Sequence, residues 1–121
     1  MERFDYERLL RIRDYCSEIA ETVHRYGTSY ETYLSDLDYQ KSLAFSILQI
    51  GELAGHLSEE FRKETAEMVQ WSPIRGMRNI VVHGYGNIDH RTLWDTAVID
   101  IPVLKKFCDN RIEEQKGKQE P

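Results

Sequence analysis

Leu9, Ile12, Cys16, Ile19 and Val23 follow one another at intervals of 3, 4, 3 and 4 residues. That spacing returns to one face of a helix and is incompatible with the two-residue alternation of a half-buried strand. Asp5 is the expected N-cap of this helix and Gly27 its stop. A second stripe runs through Leu37, Leu43, Ala44, Ile47, Ile50, Ala54 and Leu57, capped by Asp36 and widened by Phe45, Leu48 and Leu53. A helix this apolar is expected at the centre of a bundle or against a second chain. Ser58 opens a short third helix through about Met68, with Glu59 and Glu60 in its first turn. Ser72 and Pro73 then read as the N-cap and first residue of a fourth helix, with Ile74, Met77 and Val81 on its apolar face and Gly84 and Gly86 at its end. Asp89 caps a last helix whose core side is Leu93, Trp94, Ala97, Ile101, Leu104 and Cys108. Pro102 should kink it or tighten one turn, because proline lacks a backbone donor. The prediction is an all-α, four- to five-helix up-and-down bundle. It comprises one domain over residues 1–113 and a polar, disordered tail over 114–121.

Composition narrows the function classes. A chain of 121 residues suits one domain. No apolar run approaches the roughly 20 residues that cross a bilayer, and the charged start MERFDYERLL lacks a signal core. Cys16 and Cys108 fall at core positions and suggest neither a disulfide framework nor a zinc site. A reducing cytoplasm is the expected location. The net charge of −5 argues against a general nucleic-acid coat protein. The charge is uneven, however. Ser29 to Gln70 holds eight acids and three bases, whereas Ser72 to Arg91 holds Arg75, Arg78 and Arg91 with Asp89 as its one acid. Such a cationic segment either binds a phosphate or pairs with acids of neighbouring helices.

The chemistry-bearing stretch is Arg78-Asn79-Ile80-Val81-Val82-His83-Gly84-Tyr85. On a regular helix Arg78 and His83 stand about 140° apart and about 7.5 Å along the axis, so they do not share a face. Asn79 and His83 do share one, and Arg78 and Tyr85 nearly align. Arg78 and His83 converge on one phosphate if the arginine stem reaches round, if the helix unwinds near Gly84, or if the site lies at a junction with a second copy. The third arrangement is preferred here. RNA supplies its own nucleophile, the 2′-hydroxyl. Cleavage needs a base, an acid and positive charge at the phosphate, which an imidazole and a guanidinium provide. Nothing signals a metal or cofactor: Glu52 and His56 are an i, i+4 pair without an evident third ligand. His24, His56 and His90 read as surface or packing residues, and Tyr26, Tyr30, Tyr33 and Tyr39 as loop packing or the edge of a dimer.

The segment RNIVVHGY resembles the Arg-x4-His-x-Tyr signature of HepT-like proteins within the HEPN superfamily. LAFSILQIGELAGHLS resembles that family's "Ile-Gly-Glu" helix, and WSPIRGMRNIVVHGYGNIDHRTLW its most characteristic block. The similarity spans roughly Phe4 to Ile112. The resemblance implies a HEPN-like homodimer whose paired Arg–His motifs line a composite cleft and cut RNA without metal. It implies a toxin of a type VII toxin–antitoxin pair, with an MntA-like minimal nucleotidyltransferase antitoxin as partner. It gives Arg78, His83 and Asn79 catalytic roles. Tyr85 becomes the acceptor of AMP, whose bulk and charge would block the anion site. The alternative expectation is a non-catalytic nucleotide- or substrate-binding subunit of a nucleotidyltransferase complex. A third is a helical scaffold in which the arginines are structural.

Overall fold

The structure, a computed structural model, describes residues 1–80 and 88–119. It is all-α, and no strand occurs among the described residues. The long helices are α1 (Arg3–Tyr26), α3 (Leu37–Gly55) and α7 (Ile101–Gln119). Four short ones connect or extend them: α2 (Tyr30–Ser35), α4 (Glu59–Glu64), α5 (Trp71–Gly76) and α6 (His90–Asp95). A 3-10 turn, Met77–Ile80, continues α5, and a π-helical turn, Thr96–Asp100, joins α6 to α7.

The stripe on α1 does what its spacing predicts: Leu9, Ile12, Cys16 and Ile19 are buried, while Val23 packs half-buried against the core. Gly27 stops the helix at φ 104°, a left-handed conformation that favours glycine, and its N–H bonds Val23 O at 2.8 Å. The cap is Glu2 rather than Asp5, and it accepts from Phe4 N at 2.8 Å. Asp5 instead turns inward. It accepts from Ser58 N at 2.7 Å and from Ser58 Oγ at 2.5 Å. Ser58 in turn caps α4 by accepting from Phe61 N at 3.1 Å. A local cap expected for Asp5 is thus a tertiary tie between the two helix starts.

At the other end of α1, Thr22 and Ser42 share a hydrogen bond at 3.2 Å, and Tyr39 Oη donates to Gly27 O at 2.9 Å. The start of α3 therefore lies beside the end of α1, and the two helices run antiparallel. Helix α3 is covered on two sides, by α1 on one and by α5 with its 3-10 turn on the other. Leu43, Ala44, Ile47, Ile50, Leu53 and Ala54 are buried, but Leu37 and Phe45 are more than half exposed. Phe45 keeps an edge-on contact with Tyr15.

Helix α7 returns along the remaining side of α1, and near its far end Arg111 reaches Glu64 of α4 at 2.6 Å. Every expected core residue of this last segment, from Leu93 to Cys108, is buried, and Ile112 joins them. Asp89 caps α6 as expected, accepting from Thr92 N at 3.1 Å and from Thr92 Oγ1 at 2.8 Å. These bonds hold its carboxyl below the ordinary aspartate value.

Three other expectations need correction. Pro102 does not tighten the helix. The turn before it widens, with Ile101 N bonding Thr96 O five residues back, which makes room for the proline ring. The tail expected to be disordered from Glu114 continues α7 to Gln119. Ser72 is not the N-cap of α5. The helix begins at Trp71, after Gln70, because the indole is anchored. Trp71 Nε1 donates to buried Thr65 Oγ1 at 2.8 Å, Thr65 Oγ1 donates to Phe61 O at 2.8 Å, and the indole packs against Phe61 and Phe107. The same Thr65 turn ends α4 short of Met68.

Candidate functional site

The path of the chain at Arg78 is decided by a glycine on another helix. A Cβ at Gly51 of α3 would stand 2.7 Å from Arg78 N and 3.3 Å from Arg78 Cα. Only glycine lets the 3-10 turn lie this close to α3. One turn further, a Cβ at Gly55 would meet Arg75 Nε at 4.0 Å. Met77 faces the other way into the core, at 6 % exposure, and pins the turn. Arg75 and Arg78 are thereby laid along one face of α3.

Glu52, next to Gly51, reaches Arg78: Nε to Oε1 is 3.3 Å, with both side chains about half exposed. Exposed pairs of this kind contribute about 0–1 kcal/mol, because solvent screens them and ordering two long side chains costs entropy. A phosphate can therefore replace the carboxylate on Arg78. The pair lines a surface groove of about 420 Å³, together with Gly51, Gly55, His56, Ser72, Arg75, Gly76 and Asn79. Among the described residues no acid pairs with Arg75.

Of the residues singled out from sequence, Arg78 and Asn79 line this groove. His83 and Tyr85 lie outside the described residues, as does Val81. Arg75, expected only as part of a cationic segment, and His56, expected as a surface or packing residue, are also in the groove. The signal for them was present: Gly51 and Gly55 form an i, i+4 pair on an apolar helix, a smooth strip on which another backbone can rest. Glu52 and His56 gather no third metal ligand among the described residues.

His90 stands apart from the groove. Its Nδ1 shares a 2.7 Å hydrogen bond with Tyr33 Oη, and its ring stands edge-on to Tyr33. Tyr33 and Tyr39 are fully buried, and both pack against Trp94. Burial raises both phenol pKa values. These are packing residues, as one of the two readings of the tyrosines had it.

A family model described as Ribonuclease HepT-like matches residues 12–111. A protein of Caldanaerobacter subterraneus subsp. tengcongensis, provisionally named an RNase, is 31 % identical over 101 residues, 84 % of this chain and 88 % of its own. A protein of Thermococcus cleftensis, provisionally named ribonuclease HepT, is 30 % identical over 98 residues, 77 % of this chain and 88 % of its own. One from Methanocaldococcus jannaschii, also provisionally named an RNase, is 28 % identical over 94 residues, 75 % of this chain and 74 % of its own. No solved structure matches the chain. No helix among the described residues is long and apolar enough to cross a membrane. With the match taking in all of α3, much of α1 and α7 and the Arg78 turn, the chain belongs to the Ribonuclease HepT-like family, within the HEPN superfamily.

Proposed function

We propose that the chain is a metal-independent endoribonuclease, the toxin of a toxin–antitoxin pair. The observation that carries this reading is Arg78: an exposed arginine whose backbone is seated on Gly51, lining a polar groove, in a chain whose relatives are named as RNases. RNA is the substrate. Arg78 holds the scissile phosphate and stabilises the charge that builds on it. His83 takes the 2′-hydroxyl proton or returns one to the leaving 5′-oxygen. The new P–O bond closes a cyclic phosphate as the 5′-oxygen bond breaks. Asn79, beside Arg78 in the groove, orients the phosphate. A homodimer brings two such sets into one cleft, so that the base and the acid come from two copies.

Tyr85 is the switch in this proposal. A cognate MntA-like nucleotidyltransferase antitoxin transfers AMP from ATP to its phenol oxygen, releasing pyrophosphate. The added phosphate competes for Arg78 and excludes RNA.

The purified protein is expected to cut RNA in EDTA, and His83→Ala to lose that activity. Equal cutting by wild type and variant would remove the catalytic role. Co-expression with the cognate nucleotidyltransferase is expected to add AMP mass units that map to Tyr85. AMP transfer without any RNA cleavage would favour the binding-subunit reading.

A further inference from the structure

The groove holds two arginines, and only one of them is answered by an acid among the described residues. Glu52 pairs with Arg78, whereas no acid among the described residues pairs with Arg75. Arg75 is exposed, so folding does not require its charge to be neutralised. Its side chain nevertheless lies along α3. Arg78 rests at Gly51 and Arg75 extends to Gly55, four residues along the same helix. At 1.5 Å per residue the two seats are about 6 Å apart. Ser72, His56 and Asn79 add hydrogen-bonding groups along the walls. Two cations in a row, one in excess of the groove's single acid, on a chain of net charge −5, form a local track for an anion with regularly spaced charges.

We propose that Arg75 is a second phosphate-binding cation of this groove. It takes the phosphate next to the one on Arg78 and so sets the direction in which a single RNA strand crosses α3. The inference rests on the RNA reading above and assigns a residue outside the family signature. Glu52 is the internal anion in this arrangement. It holds Arg78 extended in the free protein and yields it to the strand.

The test is binding of a fully 2′-O-methylated single-stranded RNA, which lacks the nucleophile and cannot be cut, over a series of salt concentrations. Each phosphate contact on a single strand contributes about 0.7 to the slope of log K against log salt. Arg75→Ala is expected to reduce that slope by about 0.7 and to weaken binding several-fold at low salt. Arg75→Lys keeps the charge and is expected to restore most of the slope. Arg25→Ala, on α1 and paired with Glu21 away from the groove, serves as the control and should leave the slope unchanged. An Arg75→Ala protein with wild-type slope and affinity would overturn the proposal while leaving Arg78 and RNA cleavage intact. An equal loss in Arg25→Ala would also overturn it, by showing a diffuse charge effect. A wild-type protein that neither binds nor cuts RNA would defeat this inference and the functional reading together.

Discussion

The two ends of the polar inventory are treated oppositely by the fold. Around Trp94, polar groups are buried and answered from within: Tyr33 by His90, Tyr39 by Gly27 O, with Tyr30, Tyr33 and Tyr39 packed tilted or edge-on about the indole. In the groove along α3, polar groups are exposed and loosely answered: Arg78 by a half-exposed Glu52, Arg75 by no acid among the described residues. In the first region hydrogen bonds belong to the stability of the chain, since leaving such a group unpaired costs about 1–3 kcal/mol. In the second they are left to whatever enters from solvent. Side chains of similar chemistry are thus sorted by burial into those that hold the fold and those that act.

The comparison breaks if stability and activity do not separate along this line. Trp94→Ala should cost about 3–5 kcal/mol, through the lost ring contacts and the cavity left behind, whereas Arg78→Ala should stay within about 0.5 kcal/mol. Denaturant unfolding of the two variants decides this, and equal losses would contradict it. Next in size is Thr65→Val. It keeps the volume but strands the buried Trp71 Nε1, at an expected cost of about 1–3 kcal/mol. Because Trp71 starts α5, RNA cleavage should fall as well, coupling the buried end of that element to the groove.

A smaller effect comes from alkaline pH. Burial pushes the Cys16 thiol up from 9.0 to about 12 and raises Cys108, Tyr33 and Tyr39 as well. Each folded value lies above its unfolded one. The stability they contribute is therefore complete below about pH 8 and is lost as pH rises through the unfolded thiol value of 9.0 toward the folded ones. The thermal midpoint should already fall between about pH 8 and about pH 9.5. A flat profile would mean that these groups are accessible in the folded chain.

The apolar skeleton was legible in the sequence because it depends on local spacing. The stripes on α1 and on the last helix bury as read, and Asp36, Ser58 and Asp89 each cap the helix expected of them. What escaped were contacts between segments distant in sequence. Asp5 looked like a cap because nothing local revealed Ser58 as its partner. Ser72 and Pro73 looked like a helix start because Trp71 is fixed by Thr65 and Phe107, not by its neighbours. The widened turn before Pro102, with Thr96 and Ala97 buried in it, is an outcome that a proline rule alone does not specify. Within the site, Arg78 and Asn79 stood out through the signature. The cationic segment marked Arg75 and the Glu52 pairing marked His56, but their place beside Arg78 follows only when α5 and its 3-10 turn are laid on Gly55 and Gly51.

That seating is the centre of the account, and Gly51→Ala tests it most directly. The added methyl favours helix α3 locally by about 1 kcal/mol, yet it would stand 2.7 Å from a backbone nitrogen that has no flexible end to move aside. The turn carrying Arg78 must shift, and small misplacements at a reacting centre cost up to about 10²-fold in rate. Single-turnover RNA cleavage in EDTA by Gly51→Ala, with helical content retained, is predicted to fall by about that factor. Cleavage at the wild-type rate would show that the close approach of α3 to Arg78 does not position the reaction.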